Sequence, residues 1–154
     1  MSNEATLAPR IVVGVDGSAP SKQALRWAVG QAKLTGAAVE AVFAWEYPTP
    51  WLGMVPPTDK ESGDFEVHAR RILDRAVDEA LGPGPERAVA LRPTSVHGQP
   101  AAVLLDVAAG AQLLVVGNRG RGGFREALLG SVGMHCVQHA PCPVVVIRGS
   151  GGGT

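Results

Sequence analysis

The regular alternation of short apolar segments with amphipathic ones is the feature that most constrains this chain. Five segments look like strands: residues 11–15, 38–45, 88–96, 112–117 and 143–148. Several are nearly continuous apolar runs, which are typical of parallel strands covered on both faces. Because helical patterns separate them, the chain is predicted to fold as β-α-β-α-β-α-β-α-β.

This alternation predicts an α/β fold with a single doubly wound, five-stranded parallel sheet of order 3-2-1-4-5. Helices should cover both faces, and the crossovers should be right-handed, as in Rossmann-like domains. The length of 154 residues suits one such domain. We assign the domain to residues 11–148. Residues 1–10 and 149–154 are expected to be disordered tails, because they are mostly small or polar and lack periodicity.

The helical segments carry start and stop signals. A first helix should begin near Ser18 and Pro20, and a third near Pro100, because proline is favoured in the first turn. A second helix is predicted over residues 64–81 and a fourth over residues 125–139, each stopped by glycine or proline. The residues expected to face inward from the second helix are Val67, Ile72, Leu73, Val77 and Leu81.

Composition excludes several classes of function. The formal net charge is +0, so no global field favours nucleic acid or anionic lipid, and neither is expected as a partner. No apolar run approaches the roughly 18 residues of a membrane span, and no signal peptide pattern is present. We therefore predict a cytoplasmic protein. Cys136 and Cys142 are expected to be small buried hydrophobic residues in a reducing compartment.

The predicted sheet also locates a ligand site. Doubly wound sheets bind ligands beyond the carboxyl ends of the strands where the strand order reverses. Here that point lies between strand one, ending at Val15 and Asp16, and strand four, ending at Val116 and Gly117. The glycines that follow Gly117 leave the backbone free to approach an anion, and their amides can converge on it. The alternative is that these glycines serve only a tight strand-to-helix turn.

The glycine-rich stretch has neither the lysine of a P-loop nor the pattern G-x-G-x-x-G. It reads G-x2-G-x9-G-S, from Gly117 through Gly120 to Gly130 and Ser131. Together with IVVGVDGS at 11–18, VHGQP at 96–100 and HAPCPVVVIR at 139–148, this spacing resembles the universal stress proteins. The resemblance is to the branch whose members bind ATP through that motif, and it covers nearly the whole domain.

The resemblance implies that the chain binds ATP, with Mg²⁺ on the phosphates. It implies that Asp16 contacts the ribose, although an aspartate there could instead cap the first helix. Asn118 occupies a position that is often serine. Arg119, Arg121 and Arg125 either neutralise phosphate or are solvated loop charges. The other implied positions are Gly14, Val15 and Ala44 near the adenine, Val116 and Gly117 at the end of strand four, and Gly120, Gly130, Ser131 and Val132 near the phosphates.

A bulkier residue at Gly117 is expected to block the nucleotide without disturbing the fold, because its side chain would occupy space reserved for the ligand. The resemblance also implies a homodimer through the edge strand that begins at Pro143 and ends at Arg148. Trp45 and Trp51 could stack a base, but packing is the more ordinary role of tryptophan. His135, Cys136, His139 and Cys142 do not have zinc-ligand spacing, and no metal site is predicted.

Two classes of function follow. The first is an ATP-binding regulator of the stress response, whose state is read by an unknown protein partner. The second is a slow ATPase or other nucleotide-hydrolysing enzyme on the same scaffold, and a module that binds cyclic AMP is a further alternative. Efficient phosphoryl transfer usually needs a positioned base and strong cationic groups. We predict no catalytic residues, so binding is favoured over turnover.

Overall fold

The computed structural model describes residues 9–47, 58–83, 89–119 and 129–149. In these residues, strands and helices alternate along the chain. The strands are β1 (Arg10–Gly14), β2 (Ala38–Trp45), β3 (Leu91–His97), β4 (Leu113–Gly117) and β5 (Val144–Ile147). The helices are α1 (Ala19–Thr35), α2 (Asp59–Leu81), α3 (Pro100–Val107) and α4 (Ser131–His139).

The five strands form one parallel sheet of order β3-β2-β1-β4-β5. In the centre of the sheet, Ile11 of β1 lies beside Val39 of β2 and Leu113 of β4. The predicted α/β fold, with its five-stranded parallel sheet and its strand order 3-2-1-4-5, is confirmed. Strand order therefore reverses between β1 and β4, as the sequence predicted.

Helices cover both faces of the sheet. On one face, Leu25 of α1 and Leu73 of α2 are fully buried against Val13 of β1. On the other face, Leu104 of α3 and Cys136 of α4 pack with a second cluster that includes Val12 and Leu114. Successive residues of β1 thus enter different cores, which explains why the strand is apolar throughout. No described helix is long and apolar enough to span a bilayer.

The two cysteines are free, and Cys136 is completely buried while Cys142 is partly buried. Burial raises the pKa of the Cys136 thiol to about 11, and the nearby Cys142 contributes to the shift. A thiol with that pKa stays protonated at neutral pH, so it packs as an apolar side chain.

Helix α1 begins as predicted and α2 does not. Ser18 caps α1, since its hydroxyl accepts a hydrogen bond from the Ser21 N–H at 3.3 Å. Helix α2 begins at Asp59, five residues before the predicted start. The reason is a capping box, in which the Thr58 hydroxyl accepts from the Glu61 N–H at 3.1 Å and the Glu61 carboxylate accepts from the Thr58 N–H at 2.9 Å.

The inward face of α2 also differs from the prediction at two positions, since Ile72 is only half-buried and Val67 lies outside the core. Val67 was expected in the core, but it is 53% exposed. Three of the six buried positions are alanines. The buried residues are Ala69, Leu73, Ala76, Val77, Ala80 and Leu81. Their spacing defines a face that leaves Val67 outside, since two residues along a helix correspond to about 200° of rotation.

Helix α3 begins at Pro100, as predicted, with the Gln99 side chain accepting from the Ala102 N–H at 2.8 Å. Helix α4 begins at Ser131 rather than at residue 125, because residues 129 and 130 are not helical. Residues 125–128 lie outside the described part of the chain. Arg10, which the predicted domain boundary assigns to the tail, is the first residue of β1.

Candidate functional site

A cavity of about 240 Å³ opens at the carboxyl ends of β1 and β4, on the side of the sheet covered by α3 and α4. Its position is the one at which the strand order reverses. Five separate segments of the chain meet there. The lining residues are Gly14, Val15, Asp16, Ser21, Val42, Ala44, Pro100, Leu104, Val116, Gly117, Asn118, Arg119, Gly130, Ser131, Val132 and Gly133.

The structure brings together every predicted binding residue except Gly120, which lies outside the described residues. These residues are Gly14, Val15, Asp16, Ala44, Val116, Gly117, Asn118, Arg119, Gly130, Ser131 and Val132. The glycine-rich residues 121–128 also lie outside the described part, so Arg121 and Arg125 have no described position. The sequence missed other lining residues. Val42 could have been found from Ala44, since alternate residues of a strand share a face.

Pro100 and Leu104 were also missed as lining residues. They are four residues apart on α3, so they lie on the same side of the helix. A Cβ atom added at Gly14 would lie 3.0 Å from Cδ1 of Leu104. The absence of a side chain at Gly14 therefore keeps α3 close to the sheet. Together with Val42 and Ala44, these residues give the cavity an apolar wall.

Asp16 is held at the rim of the cavity by the turn that follows β1. Its Oδ1 accepts a hydrogen bond from the Ser18 N–H at 2.9 Å, and its own N–H donates to Oγ of Ser21 at 3.2 Å. The cap of α1 is Ser18, so the alternative role of Asp16 as that cap is wrong. The backbone bonds fix the carboxylate of Asp16 at the cavity in one orientation.

Gly117 lines the cavity, but space for a ligand is not what requires a glycine there. A Cβ atom on Gly117 would lie 2.8 Å from the carbonyl carbon of Pro20 and 3.0 Å from the amide nitrogen of Ser21. The expectation that a bulkier residue would leave the fold undisturbed is therefore wrong. Glycine at this position lets the first turn of α1 pack directly against the end of β4.

Asn118 connects the cavity to the edge of the sheet. Its N–H donates to the Ile147 carbonyl at 2.8 Å, and its carbonyl accepts from the Gly130 N–H at 2.6 Å. Its side-chain oxygen accepts from the Gly149 N–H at 3.3 Å. Only 8% of Asn118 is exposed. One buried residue therefore joins β4, the start of α4 and the end of β5.

The start of α4 forms another part of the cavity wall. Gly130 is its cap and makes no side-chain capping hydrogen bond. The first N–H groups of a helix have no partners within it, and the helix dipole adds a partial positive charge there. Ser131, Val132 and Gly133 supply these groups at the cavity wall. The half-buried Arg119 lies beside them, so this end of the cavity is suited to an anion.

The aromatic and metal-ligand candidates fall elsewhere. Trp45 is 8% exposed and packs against His97 and Tyr47, with ring centroids 4.9 and 5.5 Å away, rather than lining the cavity. Trp51 lies outside the described residues. The ring centroids of His135 and His139 lie 4.7 Å apart, with the rings tilted by 47°. Within the described ranges, no three histidine, cysteine or acidic residues are grouped as metal ligands would be.

Comparison with known proteins identifies the same family over most of the chain. The model of the universal stress protein family matches residues 8–148. A universal stress protein of Mycolicibacterium smegmatis is 36% identical over 140 residues, which cover 90% of this chain and 45% of that protein. A universal stress protein of Mycobacterium tuberculosis is 35% identical over 144 residues, which cover 91% of this chain and 45% of that protein. The chain spans about half the length of the curated relatives it matches.

Solved structures show the same fold. A universal stress protein in complex with cAMP is 26% identical, with a TM-score of 0.66 over 94% of this chain and 100% of that one. A member of the family from Burkholderia pseudomallei is 28% identical, with a TM-score of 0.62. The match covers 92% of this chain and 97% of that one. A universal stress protein from Archaeoglobus fulgidus in complex with dAMP is 21% identical, with a TM-score of 0.63. The match covers 92% of this chain and 98% of that one, and it supports the fold alone.

Proposed function

Because this chain belongs to the universal stress protein family, we propose that it binds ATP in the cavity between β1 and β4 and acts as a nucleotide-dependent regulator of the stress response. One observation carries the proposal. The cavity is lined by a carboxylate, by an apolar wall and by the start of a helix. These three features match, in order, the ribose, the base and the phosphates of an adenine nucleotide.

The chemistry of each part supports this assignment. The Asp16 carboxylate can accept hydrogen bonds from both ribose hydroxyls, and charged acceptors make the stronger bonds. The wall formed by Gly14, Ala44 and Leu104 can cover the flat faces of adenine. The amides of Ser131 and its neighbours can bind phosphate without a lysine. The 26% identical relative is a complex with cAMP, which supports an adenine nucleotide as the class of ligand.

Mg²⁺ would accompany the phosphates. The described residues offer no group of three or more acidic or histidine side chains to hold it. Mg²⁺ typically keeps several waters and takes its other ligands from the substrate phosphates, so it needs few protein ligands. The Ser131 hydroxyl is the lining oxygen suited to add one. Bound there, Mg²⁺ would neutralise phosphate charge.

We propose binding rather than efficient turnover. Among the described lining residues, Asp16 and Arg119 are the ionisable side chains. Asp16 is the one acid among them, and its Oδ1 already accepts a hydrogen bond from the Ser18 amide. Rapid phosphoryl transfer needs a base and cationic groups around the reacting phosphate. Any hydrolysis of ATP should therefore be slow.

A homodimer through the β5 edge is part of the proposal. Strand β5 pairs with β4 on one side, and its residues Val144–Ile147 are only half-buried. Unpaired apolar edges are usually covered in native proteins. A second copy of the chain at the segment from Pro143 to Arg148 would cover it, and an additional protein partner could then read the nucleotide state. Sedimentation equilibrium would show a monomer if this part of the proposal is wrong.

Identification of a co-purifying molecule tests the ligand. Protein purified without added nucleotide is denatured, and the released small molecules are measured by mass spectrometry. Titration calorimetry with ATP, ADP and cyclic AMP then ranks the affinities, and a phosphate-release assay measures turnover. Recovery and tight binding of ATP without turnover are expected. Stronger binding of cyclic AMP than of ATP would favour the cyclic AMP alternative. The observation behind that alternative is the 26% identical structure, which is a complex with cAMP.

A further inference from the structure

A second groove lies on the α2 side of the turn that connects β1 to α1. Its volume is about 470 Å³, and it is enclosed by Gly17 and by one face of α2. The residues of that face are His68, Arg71, Ile72, Arg75, Ala76 and Glu79. Asp16 lines the proposed nucleotide cavity, whereas the next residue, Gly17, lines this groove. The proposed function makes no use of it.

Two arginine side chains line the groove. Arg71 and Arg75 are one helical turn apart, so both guanidinium groups project from the same face of α2. Among the residues that the structure describes, neither forms an ion pair. Arg70, their sequence neighbour, differs in this respect, because its Nε lies 3.0 Å from Oδ1 of Asp74.

Glu79 also lines the groove, and its carboxylate forms an ion pair with Lys22 of α1. Nζ of Lys22 lies 2.9 Å from Oε1 of Glu79. The Lys22 hydrogen bond and charge hold the pKa of the Glu79 carboxyl below its usual range, and Arg75 adds to that effect. Glu79 and Lys22 together contribute no net charge, so the arginines determine the sign of the groove.

The shape of the groove favours an organic anion. Ala76 is buried and Ile72 is half-buried, so the floor between the arginines is apolar. Gly17 has φ of 85° and no side chain, so the wall opposite α2 is bare backbone. An extended polyanion is a poor match, because the groove is also lined by the Glu79 carboxylate and the chain as a whole has a net charge of +0.

We propose that this groove binds the phosphate group of a small phosphate monoester, with Arg71 and Arg75 holding the phosphate and the apolar floor holding the organic part. Guanidinium groups bind phosphate oxygens through pairs of parallel hydrogen bonds, and arginine is preferred over lysine for this purpose. The site is separate from the nucleotide cavity and does not depend on the function proposed for that cavity.

Phenyl phosphate is a suitable probe. It is titrated into ¹⁵N-labelled protein at constant ionic strength, and the amide shifts locate the site. The expected result is a saturable change at Gly17 and along residues 68–79. The double variant Arg71→Gln/Arg75→Gln should weaken binding at least tenfold. Arg70→Gln is the control on the same helix, since it removes one positive charge outside the groove, and it should change affinity less than twofold.

Several results would overturn the proposal. One is the absence of shifts at Gly17 and residues 68–79, and another is shifts confined to residues 130–133, which would place the anion in the nucleotide cavity instead. Equal weakening by Arg70→Gln would show a general charge effect rather than a site. Equal affinity for inorganic phosphate would show that the apolar floor takes no part, and so would overturn the assignment to monoesters. The variant spectra establish that each protein is folded.

Discussion

The backbone of Gly117 packs directly against Pro20, so that a Cβ atom on Gly117 would lie 2.8 Å from both the carbonyl carbon and the Cβ of Pro20. Because Pro20 belongs to the first turn of α1, this contact sets how closely that helix approaches the end of β4. The same turn carries Ser18, which orients Asp16. The glycine of the motif thus positions the ribose side of the proposed site through helix packing.

Gly117→Ala should therefore destabilise the fold. The added methyl group meets backbone atoms, and overpacking of this kind costs about 1–3 kcal/mol. Urea denaturation measures the change in the free energy of unfolding. Gly30→Ala is the control, because a Cβ atom there meets nothing within 4 Å and alanine favours the α1 helix by about 0.5–1 kcal/mol. Similar stability of the two variants would contradict the packing role.

Asp16→Ala should weaken ATP binding by more than tenfold, or about 1.4 kcal/mol. The loss follows from the removal of an acceptor for the ribose hydroxyls. Titration calorimetry measures the affinity. Asp106→Ala is the matched control, since Asp106 is an exposed aspartate on α3 outside the cavity lining, and it should bind ATP as the unchanged chain does. Unaltered affinity in Asp16→Ala would remove the ribose contact from the proposal.

Thr58→Ala should destabilise the protein by about 1 kcal/mol, because the first turn of α2 loses its capping hydroxyl. Glu61→Gln keeps an acceptor for the Thr58 N–H and should have a smaller effect. Thermal unfolding followed by circular dichroism compares the two. If Thr58→Ala matched the unchanged chain, the start of α2 at Asp59 would not depend on the capping box.

Lys22→Gln should raise the pKa of the Glu79 carboxyl towards its usual range. Lys22 lowers that pKa by its hydrogen bond and charge, so the ion pair stabilises the fold above the unfolded pKa of Glu79. This contribution is lost as the pH falls through the lower, folded pKa. Carbon NMR of Glu79 across an acid titration measures the midpoint. Lys33→Gln removes the same charge from α1 and should leave the midpoint unmoved.

Much of the fold was predictable because its signals are local and redundant. Strands β1, β4 and β5 are apolar runs, and the residues buried on the two faces of β1 alternate between two cores. The location of the cavity followed from strand order, which places the end of β1 beside the end of β4. Site residues found through the resemblance share one feature: they lie at strand ends, on loops or in the first turn of α4, at that single edge.

The errors came from signals that are weak or non-local. The buried face of α2 is formed partly by Ala69, Ala76 and Ala80, which contribute little apolar contrast, so Val67 was misplaced. The contact between Gly117 and Pro20 joins residues almost a hundred positions apart, and no pattern within either segment reports it. The basic groove was missed for a similar reason, since Gly17 and Arg71 become neighbours only after folding.

Asn118 has a mechanical consequence. The amides of Gly130 and Gly149 are bonded to the same buried residue, one to its carbonyl and the other to its side chain. A displacement at the start of α4 is therefore resisted at the outer margin of the sheet, and a displacement at that margin is resisted at the cavity. Asn118 holds both the cavity and the end of β5 through hydrogen bonds, so a force that displaces one of them also acts on the other.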